Sequence, residues 1–113
     1  MAGRFFNSDL NGKTVFDIGF GFAQALIFLK NKGLEVSGLE PSIEGVEHAK
    51  ANGISNAYHT GIENYNVAGD QKFDLVLLLN VLEHLREPEK TVRNIKKDLL
   101  SPKEVPPQIC TAV

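Results

Sequence analysis

A glycine turn between two acidic residues is the part of this sequence best suited to chemistry. Asp17 lies near the end of one apolar run, Gly19 and Gly21 follow it, and Glu40 ends the next apolar run. Glycines let the backbone turn sharply and approach a ligand closely, and a helix that starts behind them offers free N–H groups. A carboxylate at the tip of the second strand can accept both hydroxyls of a ribose. This arrangement predicts a nucleoside-binding site.

The spacing of the glycines bears on which nucleoside is bound. Dinucleotide-binding turns follow the pattern Gly-x-Gly-x-x-Gly, and Gln24 occupies the position of the third glycine. Asp17 would repel a pyrophosphate, whereas it would attract a ligand that carries an ammonium group. The pattern therefore disfavours a nicotinamide-binding Rossmann protein, which stays an alternative together with a strand–helix turn that binds no ligand.

Three segments, in order along the chain, resemble motifs of the class I S-adenosylmethionine-dependent methyltransferases. Residues 17–23 resemble the motif acidic-x-Gly-x-Gly-x-Gly, with Ala23 in place of the last glycine. Residues 38–42 (GLEPS) resemble the second motif, and residues 73–85 (FDLVLLLNVLEHL) resemble the fourth-strand motif with its Leu-Glu-His ending. The resemblance extends over residues 14–102 and is nearest to small-molecule methyltransferases of the ubiquinone pathway.

The resemblance implies S-adenosylmethionine as the cofactor and a small molecule as the methyl acceptor. Asp17 would help to hold the methionine part of the cofactor, Glu40 would bind the ribose, and Asn80 would face the methionine end. The full set implied for cofactor binding is Asp17, Gly19, Gly21, Glu40, Pro41, Ser42, Gly61, Ile62, Glu63 and Asn80. Structural alternatives stay open: a turn-capping aspartate, a solvated strand-end acid, an ordinary loop at 61–63 and a capping amide at Asn80.

His84 is the weak candidate for a catalytic side chain. A histidine can remove a proton from a phenol or hydroxyl while the methyl group moves. In the family, however, the pair Glu83-His84 usually starts a helix and shapes the site, which favours a structural role. Methyl transfer depends mainly on placing the acceptor in line with the methyl group, so the catalytic residue stays unknown. No set of Cys, His, Asp and Glu has metal-ligand spacing, and no metal is expected.

Composition and charge narrow the class of protein. The chain has 113 residues, of which 42% are hydrophobic, as in one globular domain or part of one. A net charge of −2 without a Lys/Arg block gives no reason to expect nucleic acid or membrane binding. Residues 1–9 lack the apolar core of a signal peptide, and Cys110 alone cannot form an internal disulfide. These features predict a cytoplasmic protein.

Strands alternate with helices in the hydropathy pattern. Strands are expected at residues 14–18, 34–39, 57–59 and 74–79. The first helix is expected to bury one face that carries Phe22, Leu26 and Leu29. The alternation predicts an α/β fold, with a Rossmann-like parallel sheet and helices on both faces. The resemblance makes it the N-terminal half of a class I methyltransferase fold.

The end of the chain departs from the family pattern. We divide the chain into an N-terminal extension (1–13), a partial S-adenosylmethionine-binding core (14–102) and an atypical tail (103–113). Pro106 and Pro107 cannot serve a central strand, so the tail is not expected to pair regularly. In the family's strand order (third, second, first, fourth, fifth), strand four would then be an exposed edge that permits self-association. A truncated, non-catalytic cofactor-binding fragment is therefore an alternative function.

Overall fold

The computed structural model describes residues 12–65, 72–79, 84–99 and 108–112. The described strands are β1 (Thr14–Ile18), β2 (Glu35–Leu39), β3 (Ala57–Tyr58), β4 (Leu75–Leu79) and β5 (Gln108–Ala112). The described α-helices are α1 (Gln24–Asn31), α2 (Ile43–Ala51) and α3 (Pro88–Asp98), and a short 3-10 helix covers Ile62–Asn64. The expected alternation of strands and helices is confirmed.

The strands form one parallel sheet in the order β3-β2-β1-β4-β5. Both the α/β fold class and the expected strand order are confirmed. β1 is central, and its residue Asp17 lies opposite Gly38 of β2 and Leu77 of β4. Because the carboxyl ends of parallel strands meet at one edge of a sheet, this topology brings together the segments that follow β1 and β2.

β5 shows that the expectation for the tail is wrong. Residues 108–112 pair in parallel with β4 along its full length, from Leu75 opposite Gln108 to Leu79 opposite Ala112. The two prolines precede the paired residues, so the missing N–H groups of proline do not interrupt the ladder. β4 is therefore an interior strand, and the premise for self-association through its edge is wrong as well.

Side chains cover both faces of the sheet. On one face, α1 and α2 pack over a buried cluster that includes Val15 and Leu75. On the other face, Phe16 packs with Ile95 of α3 and stacks on Phe73, with 4.6 Å between the ring centroids. β4 has no polar residue, as expected for a strand that is buried on both faces. The sheet is therefore a rigid base for the segments at its carboxyl edge.

Asp74 joins the amino-terminal ends of β1 and β4. Its Oδ2 accepts a hydrogen bond from the backbone N–H of Thr14 at 3.0 Å, and its own N–H donates to the Thr14 hydroxyl at 3.0 Å. The carboxyl group is buried. This acidic residue of the fourth-strand motif therefore holds the sheet together at the end opposite the glycine turn.

Candidate functional site

The turn between β1 and α1 adopts a backbone that favours glycine at alternate positions. The φ angles are 71° at Gly19, 62° at Gly21 and 65° at Ala23. Residues with a Cβ atom rarely adopt such left-handed values, so the conformation explains the spacing of the two glycines. Ala23 takes the same conformation at the position where the family motif has its third glycine.

Glu40 connects this turn to the start of α2. Its Oε1 accepts a hydrogen bond from the N–H of Gly21 at 2.8 Å, and its Oε2 accepts one from the N–H of Ser42 at 2.9 Å. The side chain is buried, with 9% of its surface exposed. The carbonyl of Leu39 also accepts hydrogen bonds from the N–H groups of Gly19 and Phe20, at 2.8 and 3.2 Å. The end of β2 therefore fixes the turn in place.

Asp17 places a buried carboxyl group beneath the turn. Its exposed fraction is 2%, and within the described ranges its Oδ1 has no hydrogen-bond partner. Burial raises the pKa of Asp17 to about 7, and the negative charge of Glu40 adds to the rise. An unpaired buried carboxylate is costly, so a cationic ligand at this point would stabilise the ionised form.

A cavity of about 460 Å³ opens above Asp17 at the carboxyl edge of the sheet. Its size lies within the range of small-molecule sites, roughly 300–1,000 Å³. Residues of β1, the turn, the first turn of α1 and the end of β4 form its walls: Asp17, Gly19, Phe20, Gly21, Phe22, Gln24, Ala25 and Leu79. The structure therefore brings Asp17, Gly19 and Gly21 together around one cavity, with Glu40 bonded to the turn beside it.

Phe22 departs from the expected arrangement. The sequence predicts that it lies on the buried face of the first helix, whereas α1 begins after it and 59% of its surface is exposed. Its ring meets that of His48 of α2 edge to face, with 5.5 Å between the centroids. Leu26 and Leu29, predicted for the same face, are buried as expected. Phe22 is thus part of the cavity wall, a role that helical periodicity alone does not reveal.

The residues after β2 are held by hydrogen bonds of their own. Ser42 is the N-cap of α2, where its Oγ accepts from the N–H of Gly45 at 3.3 Å and donates to Glu44 at 2.9 Å. The carbonyl of Pro41 accepts from Nε2–H of His59 at 2.9 Å, because a carbonyl can only accept. Pro41 and Ser42 are therefore fixed beside the turn, although they do not line the cavity.

The segment 61–63 lies outside the cavity wall. Ile62 is half-buried against the core beneath α3, and Glu63 Oε2 accepts from the backbone N–H of Arg86 at 3.2 Å. Glu63 thus connects this segment to the residues before α3. His84 is exposed and does not line the cavity either, and Asn80 lies outside the described residues.

Among the described residues, no group of three or more His, Cys, Asp or Glu side chains is placed to hold a metal ion. In the same part of the chain, no helix is long and apolar enough to cross a membrane.

Comparison with known proteins identifies related sequences. A family model described as "Methyltransferase domain" matches residues 16–103. The ubiquinone biosynthesis O-methyltransferase of Serratia proteamaculans is 31% identical over 86 residues, which cover 72% of this chain and 36% of that protein. The protein of the same name from Proteus mirabilis is 32% identical over 93 residues, covering 78% and 38%. The chain therefore spans well under half the length of these curated relatives.

Solved methyltransferase structures share the fold. An S-adenosylmethionine dependent methyltransferase from Mesorhizobium loti matches with a TM-score of 0.70 and 22% identity, covering 88% of this chain and 47% of that chain. The plantazolicin methyltransferase BamL, solved with a triazolic desmethylPZN analog and SAH (S-adenosylhomocysteine), matches with a TM-score of 0.68 and 25% identity. That match covers 84% of this chain and 36% of the other.

Replacing Glu40 by alanine is expected to destabilise the protein even without a ligand. The N–H groups of Gly21 and Ser42 would lose their shared acceptor, and a charged hydrogen bond contributes about 1.5–3 kcal/mol. We therefore expect Glu40→Ala to lower the free energy of unfolding by at least about 1.5 kcal/mol in urea denaturation. Glu47→Ala removes an exposed glutamate of α2 and is the matched control. Equal effects of both variants would show that Glu40 is only a solvated strand-end acid.

The contribution of Asp17 to the stability of the free protein is expected to fall as the pH rises from about 4 to about 7. The pKa of Asp17 is about 7 in the folded protein and about 3.9 in an unfolded chain. The folded state therefore holds an extra proton in this window, and that stabilisation is lost as the pH rises through the folded pKa.

Urea denaturation of the wild type and of Asp17→Asn across this window isolates the effect. We expect the difference in free energy of unfolding, wild type minus variant, to fall by about 1.4 kcal/mol for each unit by which the pH rises. A constant difference between the two proteins would contradict the raised pKa.

Proposed function

Because this chain belongs to the methyltransferase domain family, we propose that it acts as an S-adenosylmethionine-dependent methyltransferase on a small-molecule acceptor. The observation that carries the proposal is the buried, unpartnered Oδ1 of Asp17 at the base of the cavity. The proposed core, residues 14–102, is supported by the family match over residues 16–103. The comparisons favour neither the nicotinamide-binding protein nor the non-catalytic fragment.

Asp17 fits the ammonium group of S-adenosylmethionine. A carboxylate that accepts charge-assisted hydrogen bonds from a cation regains the interactions it lost on burial. A pyrophosphate at the same point would meet a buried acid, with a second acid, Glu40, beyond it. Asp17 would therefore bind the methionine part of the cofactor and disfavour dinucleotides.

Glu40 fits the ribose of the same cofactor. An ionised carboxylate offers about four acceptor sites, and the backbone bonds from Gly21 and Ser42 use one on each oxygen. Each oxygen thus retains acceptor capacity for a ribose hydroxyl. Gly21 is exposed and a Cβ atom there would meet no other residue within 4 Å, so the turn leaves room for a ligand.

Adenine would lie beyond Glu40, towards β3. Pro41 and Ser42 follow the carboxyl end of β2, and the segment Gly61–Glu63 follows the carboxyl end of β3. Neighbouring parallel strands bring these segments to the same edge of the sheet. The hydrogen bond from His59, which directly follows β3, to the Pro41 carbonyl joins the end of β3 to the first of these segments. This placement supports both segments as the adenine side of the site.

Chemistry at this site would rest on positioning. The bound cofactor supplies an electrophilic methyl group, while the side chains described above hold its two ends. Such orientation can lower a barrier substantially without any side-chain acid or base. His84 is exposed and outside the cavity wall, so we assign it no proton transfer. Asn80 is proposed to face the methionine end because it directly follows β4.

The acceptor and the location are further parts of the proposal. The relatives named as ubiquinone biosynthesis O-methyltransferases support a small-molecule acceptor methylated on oxygen. The net charge of −2 supports a partner other than nucleic acid. The single cysteine, Cys110, supports a cytoplasmic location, where thiols stay reduced.

Calorimetric titration tests the proposed ligand. The protein is expected to bind S-adenosylmethionine and SAH more tightly than NAD, because Asp17 favours an ammonium and repels a pyrophosphate. Asp17→Asn removes that charge and is expected to weaken SAH binding roughly tenfold or more, the worth of one charge-assisted hydrogen bond.

5′-Methylthioadenosine supplies the control, since it shares the adenosine part of SAH and lacks the amino acid part. Its affinity is expected to be the same for the wild type and for Asp17→Asn. Tighter binding of NAD would sink the proposed function, and an equal loss for both adenosine ligands would remove the assigned role of Asp17.

Binding of SAH is expected to release a proton below about pH 7. The pKa of Asp17 is about 7 in the free protein, and a nearby ammonium lowers it, so the carboxyl group ionises on binding. Affinity should therefore rise with pH up to about 7. Titrations near pH 6 in buffers of different ionisation enthalpy count the released protons, with about one expected for the wild type and none for Asp17→Asn. Equal counts for the two proteins would contradict the linkage.

A further inference from the structure

Gly45 lies in the first turn of α2, against the glycine turn. It is buried, and a Cβ atom at this position would overlap the carbonyl oxygen of Gly21 and come within 2.9 Å of Cγ of Glu40. The absence of a side chain at Gly45 therefore permits a close approach between the helix and both partners of the Glu40–Gly21 hydrogen bond.

Helix formation does not account for this glycine. Glycine weakens a helix relative to alanine, and Gly45 does not have the positive φ that would require glycine. Its neighbours in the chain have ordinary roles, since Val46 is buried in the core and Glu44 is exposed. The requirement at position 45 is one of space, and that space is taken up by the turn and by Glu40.

We propose that Gly45 is a positioning residue for the ribose-binding carboxylate of Glu40. The inference rests on the proposed function, because it assigns Gly45 to the same cofactor site. Gly45 lets the Gly21 carbonyl and the Glu40 stem lie directly against α2. Gly21 can then donate to Oε1 at 2.8 Å while Ser42 donates to Oε2.

A methyl group at position 45 displaces the turn and leaves the helix in place. Val46 and Ala49 anchor α2 in the core, with exposed fractions of 3% and 0%. Gly21 is an exposed turn residue, and a Cβ atom built on it would meet no other residue within 4 Å, so the turn has open space on that side. The turn therefore moves away, the hydrogen bond between Gly21 and Glu40 is lost, and the carboxylate no longer points at the ribose hydroxyls.

Gly45→Ala tests the inference by calorimetric titration with SAH. We expect a loss of affinity of roughly tenfold or more, as for one hydrogen bond to a charged group. Cooperative unfolding and helical content are expected to be retained, because alanine favours the helix. Glu47→Ala, on the exposed side of the same helix, is expected to bind SAH like the wild type. Unchanged affinity of Gly45→Ala, or loss of its cooperative unfolding, would overturn the inference.

A double-mutant cycle separates positioning from a general structural effect. If Gly45 acts through Glu40, the substitution Gly45→Ala costs little further affinity in a protein that already carries Glu40→Ala. Additive losses would overturn the inference. The wild type decides the proposed function independently, since a wild-type protein that binds no SAH refutes that function itself. If the wild type binds SAH and the Gly45→Ala variant binds it equally tightly, only the role of Gly45 is refuted.

Discussion

The hydrogen bonds that the Glu40 carboxylate accepts are the interactions on which the candidate site depends. It accepts hydrogen bonds from Gly21 and Ser42, and so joins the turn after β1 to the start of α2. This contact is possible because β1 and β2 are neighbouring parallel strands that end at the same edge. Groups that are bonded before a ligand arrives lose little freedom when it binds. The turn is therefore preorganised by the protein, and the role proposed for Glu40 in binding the ligand adds to its role in the fold.

Asp17 is a second buried acid, and its carboxyl group differs from that of Glu40 in its hydrogen bonds. Glu40 has both oxygens bonded to backbone N–H groups, whereas Oδ1 of Asp17 is unpartnered among the described residues. The burial of Asp17 raises the pKa of its carboxyl group, and the negative charge of Glu40 adds to the rise, so both favour the protonated form. The free protein thus carries an acid whose ionised form is destabilised, and a cationic ligand would stabilise that form. The proposed selectivity for an ammonium would follow from the electrostatics of the sheet edge itself.

Local patterns predict the part of the site that lies within one strand–turn–helix unit. The glycine turn and Glu40 can be predicted from the sequence, because they lie close together in the chain and the turn requires a backbone conformation that favours glycine. Helical periodicity places Phe22 on the first helix, whereas the left-handed φ of Ala23 makes α1 begin only after that residue. The bond from Arg86 to Glu63 joins residues distant in the chain, so no local pattern reveals it. The sequence does not predict β5, because proline is unfavourable inside a central strand, whereas Pro106 and Pro107 precede the paired residues.

Ala23 shows why the turn tolerates its departure from the family pattern. A left-handed φ costs a residue with a Cβ atom about 1–2 kcal/mol. The methyl group of Ala23 is fully buried, which contributes about 0.8 kcal/mol. Alanine also restricts the unfolded chain more than glycine does, which contributes about 0.4–1 kcal/mol. These terms are of similar size and opposite sign. The turn can therefore hold the same backbone with alanine as with glycine, because the site requires the conformation at position 23 and not the residue.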